Sequence, residues 1–235
     1  MIGRKGILYG VGVGPGDPEL MTLKAVRVIE AAKVVAYPVN AEGHSQARAC
    51  AAAILPQDVT ELPVHIPMHV DRAPAQAAYD AAATQIAAHL DAGRDTAWLC
   101  VGDPLFYGSF IYLAARLEGA HEVRVVPGIT AVSACAAQAC APLASRAEVL
   151  SVIPATLEEA ALRRAVAGAD TSIIIKVGRH FEKVRRVLEA AGLSARAHLF
   201  RDATRPQQHV ARLSDLEQAD SSYFSTILIR REQVP

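Results

Sequence analysis

At 235 residues and 51% hydrophobic, the chain is long enough for one large domain or two small ones, each with its own core. Lys plus Arg and Asp plus Glu balance at 24 each, so no global field draws in nucleic acid or an anionic membrane, and an anionic ligand has to be met by local Arg and His. No apolar run approaches the roughly 20 residues of a membrane span. The start, Met1-Ile2-Gly3-Arg4-Lys5, leads into a strand-like segment without a signal-peptide core, which predicts a soluble, cytoplasmic protein.

Strand-like and helix-like segments alternate along the chain. Ile7 to Val13 is a continuous apolar run interrupted by Gly, as for a strand buried on both faces. Asp17 as N-cap and Pro18 at the first helical position open a helix whose face is marked by Leu20, Leu23, Val26 and Ile29. Val34 to Tyr37 is a second strand, closed by Pro38. Ser45 caps a short helix that stops before Pro56, and a weak strand runs from Val59 to Leu62. A long Ala-rich helix from Pro74 to Ala92 ends at Gly93. Thr96 to Val101 is a strand, Gly108 to Glu118 a helix and Val123 to Val126 a strand. Pro127-Gly128 breaks the pattern.

Beyond the break come a small-residue helix (Ala131 to Ala139), a strand (Val149 to Ile153), a helix (Leu157 to Ala167), a strand (Ser172 to Val177), a helix (Phe181 to Ala191) and a strand (Ala197 to Phe200). His209 to Arg212 and Tyr223 to Arg230 close the chain as two strands with no helix between them. The alternation predicts an α/β protein of two α/β domains, residues 1–126 and 127–235, with a ligand cleft between them.

Three glycine turns stand where strands end. Gly12-Val13-Gly14-Pro15-Gly16-Asp17-Pro18 follows the first strand and opens a helix, the setting of a phosphate cradle. It lacks the Gly-Lys-Ser/Thr end of a Walker loop, and a dinucleotide fingerprint begun at Gly12 meets Asp17 where its third Gly belongs. A carboxylate there occupies the place a pyrophosphate wants, so the glycines serve close backbone approach to a bulky ligand or a tight turn only.

Val101-Gly102-Asp103-Pro104-Leu105-Phe106-Tyr107-Gly108 follows a buried strand, and open α/β sheets bind ligands beyond the carboxyl ends of their strands. Asp103 there can accept from an ammonium group or from backbone N–H groups, or it forms an Asx turn with no ligand. In the third turn, Pro127-Gly128-Ile129-Thr130-Ala131-Val132-Ser133-Ala134, Thr130 is placed as an N-cap or to face a ligand carboxylate.

Together, in this order and spacing, the three turns resemble the tetrapyrrole methylase family, with its Gly-x-Gly-Pro-Gly-Asp-Pro start, central Gly-Asp-Pro loop and Pro-Gly-Ile-Thr/Ser turn. The resemblance runs from about residue 6 to about residue 230. It implies two α/β domains, a homodimer, S-adenosyl-L-methionine as methyl donor and a tetrapyrrole as substrate. By position it implies that Pro15, Val101, Gly102, Asp103, Phe106, Thr130, Ala131, Val177 and Ala211 line the cofactor site.

Within the family, the Gly14–Lys24 run and the Asp103-Pro104-Leu105-Phe106-Tyr107 loop are similar to members that methylate C20 of precorrin-2 on the way to cobalamin. Uroporphyrinogen methylases instead continue the middle loop as Phe-Ile-Phe-Gly-Arg. Another corrin-ring methylase, or the cobalt-containing form of the same substrate, stays open, as does a nucleotide-binding oxidoreductase or sensor from a different class.

Other constellations are weaker. His65 and His69 have a metal-ligand spacing for a helix, but Pro67 between them disfavours one, so no metal is expected. The four cysteines, Cys50, Cys100, Cys135 and Cys140, form no Cys-x-x-Cys pair and lie in apolar stretches, which predicts buried free thiols. Arg179, His180, Arg201 and Arg205 fall in loops after or between strands of the second half and are expected to meet the carboxylates of the substrate as an exposed basic patch. Lys183, Arg185 and Arg186 on a helix read as ordinary surface charge. No general base stands out.

Overall fold

The computed structural model describes residues 4–67, 71–216, 222 and 224–231. The chain folds as two units, Met1–Thr130 and Ala131–Pro235.

Unit 1 contains β1 (Ile7–Gly12), α1 (Leu23–Ala31), β2 (Val34–Val39), α2 (Gln46–Ala51), β3 (Thr60–His65), α3 (Ala73–Asp91), β4 (Thr96–Cys100), α4 (Phe110–Leu117) and β5 (Glu122–Val126). Its strands form one sheet in the order β3-β2-β4-β1-β5, and every pairing is parallel. Such a sheet needs cover on both faces. On one, Val11, Val35, Ala97 and Leu99 pack against Ala25 and Ile29 of α1 and Ala47 and Cys50 of α2. On the other, Leu8, Ala36 and Trp98 pack against Tyr79, Ala83 and Ile86 of α3 and Phe110 and Leu113 of α4. The chain leaves β1 for β2 on one side and later returns to place β5 on the other. The strand order therefore reverses beside β1, and a crevice opens at such a point at the carboxyl ends of the strands.

Unit 2 contains α5 (Ala131–Gln138), β6 (Leu150–Pro154), α6 (Glu159–Ala167), β7 (Thr171–Ile175), α7 (Phe181–Ala190), β8 (Ala197–Arg201), β9 (His209–Arg212) and β10 (Ser225–Arg230). Its sheet has the order β6-β7-β10-β8-β9: β6 runs parallel to β7, β10 runs antiparallel to β7 and β8, and β9 is antiparallel to β8. One face carries α6 and α7 through Leu162, Val166, Phe181, Val184 and Leu188; on the other, Val132 and Cys135 of α5 pack on Ile173, Ile175 and Leu228. β7 and β10 are central and read as near-continuous apolar runs, Thr171–Ile175 being buried throughout.

The elements differ from the sequence reading in three places. The helix expected to run from Asp17 through Ile29 is two pieces. Asp17 caps only a single 3-10 turn, Pro18–Leu20, by accepting from Glu19 N at 2.9 Å. Thr22 then caps α1, its Oγ1 accepting from Ala25 N at 3.1 Å. α1 buries Ala25 and Ile29, one turn apart, and Leu23, in its first turn, points off that face and is 74% exposed. Second, Pro38 does not close β2 and Pro63 lies inside β3. β2 pairs with β4 only as far as Ala36, and β3 is an edge strand, so both prolines sit where one side of the strand needs no donor. Third, Cys140 is exposed. It follows α5 in a turn at φ 48°, whereas Cys50, Cys100 and Cys135 are buried as expected. Tyr223, assigned to the last strand, lies outside the described residues, as does His69.

Candidate cofactor site

The three glycine turns leave the carboxyl ends of β1, β4 and β5, which are neighbours in the sheet with β1 in the middle. The first two turns are joined by backbone bonds that carry the ladder past the strand ends. Val13 N donates to Cys100 O at 2.9 Å, and Gly102 N donates to Gly14 O at 2.7 Å. The third turn meets them by backbone contact: a Cβ on Gly12 would lie 2.5 Å from Gly102 O and 2.6 Å from Gly128 N, and a Cβ on Gly128 would collide with the Gly102 carbonyl. Glycine at 12 and 128 is thus required by packing.

Gly102 differs. Its φ is +71°, and a Cβ there would project into space in which the nearest atom is the Thr130 Cα, 3.9 Å away. No protein packing forbids a side chain at 102, although the residue itself is buried; what selects glycine there is its positive φ.

Asp103 uses both carboxylate oxygens on backbone donors. Oδ1 accepts from Leu105 N at 2.8 Å, closing an Asx turn, and Oδ2 accepts from Gly128 N at 3.0 Å. Both readings left open for it by the sequence are therefore partly realised in one side chain: it makes the turn and it also ties two segments together. Beside it, Leu105, Phe106 and Tyr107 are exposed, the Phe106 and Tyr107 rings meeting edge to face at 5.2 Å, with Tyr107 at φ 56°. Backbone strain and bared aromatic surface coincide at this loop. Pro15 is buried in the first turn; Val101 and Thr130 are half-buried. Cys50 of α2 supports that turn from beneath, its thiol donating to Gly16 O at 3.4 Å, a contact no sequence spacing announces.

The thiol of Cys100, just before the middle loop, is pushed up to about 12, mainly by burial, and Cys135 likewise to about 12. Neither supplies a thiolate near neutral pH.

In unit 2, Ala131 opens α5 half-buried, Val177 is fully buried after β7, and Ala211 is half-buried on the edge strand β9. β8 runs in the same direction as β7, since both are antiparallel to β10, so Arg179, His180 and Arg201 follow or end strands at one end of this sheet. Arg179 and His180 lie on a 3-10 turn, Gly178–His180, rather than in an open loop; Arg179 is exposed, and His180 and Arg201 are half-buried. Burial, together with the positive charges of Lys183 and Arg179, depresses the His180 imidazole below its usual range.

Arg205 corrects the expected exposed patch. Its side chain is 5% exposed, its Nη1 is 2.8 Å from Asp202 Oδ1, and its guanidinium lies 4.2 Å from the centre of the Phe224 ring. A charge taken out of water needs a counter-charge, and Arg205 has found one within its own loop. His65 ends β3 as an exposed residue. Among the described residues, no three His, Cys, Asp or Glu side chains gather as a metal site.

Residues 7–219 match the tetrapyrrole (corrin/porphyrin) methylases. The chain is 40% identical over 232 residues to a precorrin-2 C(20)-methyltransferase of Sinorhizobium sp., covering 95% of each protein. It is 30% identical over 232 residues to the cobalt-precorrin-2 C(20)-methyltransferase of Salmonella typhimurium, covering 97% of each. Among solved structures, a cobalt precorrin-4 methyltransferase superposes with a TM-score of 0.73 at 23% identity, over 95% of this chain and 94% of that one. With its parallel unit-1 sheet, its mixed unit-2 sheet and its three glycine turns in order, the chain belongs to the tetrapyrrole (corrin/porphyrin) methylase family.

Proposed function

We propose that this chain transfers a methyl group from S-adenosyl-L-methionine to C20 of precorrin-2, giving precorrin-3A in cobalamin biosynthesis. The observation that carries this reading is the 40% identity, along 95% of both chains, to a protein of that activity. The space beside the Gly102 Cα, where the nearest protein atom to an added Cβ is 3.9 Å away, supports a cofactor that approaches main chain at the end of β4. Pro15, Val101, Gly102, Asp103, Phe106 and Thr130 of unit 1, and Ala131, Val177 and Ala211 of unit 2, are the residues we assign to it.

When bound, the cofactor supplies a methyl already activated on a sulfonium; transfer forms a C–C bond, breaks the S–CH3 bond, and releases S-adenosylhomocysteine and a proton. What remains for the protein is alignment and exclusion of water, a proximity effect that supplies several kcal/mol, on the order of 7–11 in well-oriented systems. The glycine turns hold fixed positions because they are locked to one another, and Leu105, Phe106 and Tyr107 present exposed aliphatic and aromatic surface beside them. Arg179, His180 and Arg201 are assigned to the carboxylates of the tetrapyrrole. None of the assigned residues is given the part of a general base.

We further propose that the protein works as a homodimer in the cytoplasm. The exposed Leu105, Phe106, Tyr107 and Ile111 of unit 1 support the dimer, and among the described residues no helix is long and apolar enough to cross a membrane.

The 30% identical relative acting on cobalt-precorrin-2 supplies a second reading, in which the substrate carries cobalt. The test uses the purified protein with 13C-methyl-labelled cofactor and each substrate form in turn. Label at C20 of the metal-free product is the expected result. Label only with the cobalt form favours the second reading, and label at another ring carbon overturns both.

A further inference from the structure

We infer that Arg48 is a positioning residue for the methyl donor: paired with Glu61 and Tyr37, it holds α2 so that the Cys50 thiol braces the Gly16 carbonyl, and it thereby sets how the first glycine turn presents Pro15. The inference rests on the proposed cofactor site and says how one side of that site is held.

The backbone bonds between the first turn and the middle loop reach Gly14, whose carbonyl accepts from Gly102 N at 2.7 Å. On the far side of Pro15, the Gly16 carbonyl accepts from the Cys50 thiol at 3.4 Å. Pro15 is thus flanked by one contact that belongs to the sheet and one that belongs to α2. The first is as fixed as β1 and β4. The second is only as fixed as the helix.

α2 does not fix itself. Its six residues are too few for a helix that is stable alone. Its buried side chains, Ala47, Cys50 and Ala51, are small and bury little apolar area. Ser45 Oγ accepts from Arg48 N at 3.2 Å, which orders the first turn of the helix without tying it to the sheet. The tie is the Arg48 side chain. Its Nε lies 2.6 Å from Glu61 Oε2 and its Nη2 2.9 Å from Oε1, a fork closed on one carboxylate. Glu61 belongs to β3, and the Tyr37 hydroxyl of β2 donates to the same Oε2 at 2.6 Å. One carboxylate therefore joins α2 to two neighbouring strands. The bond from Arg48 holds the Glu61 carboxyl below the usual carboxylate range, and burial, then Glu61 itself, raises the Tyr37 phenol. Near neutral pH the acceptor is ionised and the phenol protonated, the states this network needs.

Arg48 and Cys50 are two residues apart, which at about 3.6 residues per turn sets them on roughly opposite sides of the helix. Arg48 draws α2 toward β3, and Cys50 meets the first turn. Loss of the tie on one side is passed to the other as a shift of one short helix.

The experiment measures calorimetric affinity for S-adenosylhomocysteine and the rate at which an aromatic disulfide reagent labels each cysteine, followed by peptide mapping. Glu61→Gln keeps the size and removes the charge. It is expected to weaken the ligand by about three- to tenfold and to speed labelling of Cys50, while Cys100 and Cys135 stay protected. Arg48→Lys keeps the charge without the fork and should fall between wild type and Glu61→Gln in both readouts. In a Cys50→Ala background, Glu61→Gln should weaken binding little further, because the route to Gly16 is already cut. Unchanged affinity in Glu61→Gln overturns the inference even where Cys50 opens, and so does a loss that multiplies with that of Cys50→Ala. Faster labelling of all the buried thiols together assigns the network to general stability and overturns it too. A wild type that binds no S-adenosylhomocysteine means that the cofactor site itself has failed, and the inference with it.

Discussion

Arg205 and Asp202 form an ion pair buried at the arginine and nearly so at the aspartate: Nη1 and Oδ1 are 2.8 Å apart, and the side chains are 5% and 14% exposed. Asp202 at φ 50° and Thr204 at φ 68° hold the backbone between β8 and β9 in a conformation non-glycine residues rarely adopt, and Gln208 Oε1 accepts from Thr204 N at 2.6 Å to brace it.

Removing one partner of such a pair leaves a buried charge uncompensated, at a cost of about 3–5 kcal/mol. Arg205→Ala is therefore expected to lower stability by an amount in that range in urea unfolding. It should act on the tetrapyrrole KM only so far as the β8–β9 loop moves. Arg205→Met together with Asp202→Asn removes both charges and should recover much of the loss. An Arg205→Ala protein as stable as wild type, with a raised KM for substrate, would return Arg205 to the carboxylate-binding role assigned to it by the sequence.

Gly102 and Gly128 should respond differently to the same change. Gly102→Ala adds a methyl where the nearest protein atom is 3.9 Å away, so the protein loses only the cost of a left-handed residue, about 1–2 kcal/mol. In the proposed site its cofactor binding should nevertheless fall sharply, because the methyl takes the space beside the Gly102 backbone. Gly128→Ala drives a methyl into the Gly102 carbonyl and Gly12, so stability and binding should both be lost. Thermal melts with and without S-adenosylhomocysteine distinguish the two. A Gly102→Ala protein that binds as well as wild type would place the cofactor elsewhere.

Thiol chemistry tests the burial pattern independently of any ligand. Cys100 and Cys135 are held near 12 by burial, and Cys50 is 2% exposed beneath the first turn. Only Cys140 is exposed. An aromatic disulfide reagent near neutral pH is expected to label one of the four cysteines in the native protein and all of them after unfolding. Rapid native labelling of a second thiol would mean that one of the helices covering Cys50, Cys100 or Cys135 opens readily.

Much of the architecture was legible because sequence patterns leave plain marks: continuous apolar runs for β1, β4 and β7, the Ser45 cap for α2, and amphipathic patterns for α6 and α7. The errors come from interactions that spacing does not encode. Thr22 interrupts the first helix because its hydroxyl competes for Ala25 N, and an earlier capping signal at Asp17 masked it. Pro38 and Pro63 look like strand ends until the strand order shows which edges are unpaired. The three glycine turns were readable as motifs, but their mutual contact depends on β1 lying between β4 and β5. Arg205 was misplaced for a related reason: its partner is three residues away in a strained loop, a geometry that charge composition cannot announce.

The proposed recognition of carboxylates at the end of the unit-2 sheet is open to test by salt and pH. His180 is depressed by burial, Lys183 and Arg179, so near neutral pH it favours the uncharged form, and in the proposed site the attraction would rest on Arg179 and Arg201. Exposed charges are screened within about 8–10 Å at physiological ionic strength. Arg179→Ala with Arg201→Ala should therefore raise the tetrapyrrole KM, flatten its dependence on salt, and leave S-adenosylhomocysteine affinity near that of wild type. Lowering the pH should act through His180 in two opposite senses. Its folded pKa lies below the unfolded one, so its contribution to stability is present above the ordinary histidine range, about 6.5, and is lost as the pH falls through the folded value. Substrate binding runs the other way, because carboxylates placed beside the ring favour the imidazolium, and KM should fall as the pH is lowered. His180→Gln should remove both trends while leaving the salt dependence due to the arginines. A KM profile that keeps its pH dependence in His180→Gln, or a double arginine variant with unchanged KM and salt response, would show that the substrate carboxylates are met by other residues.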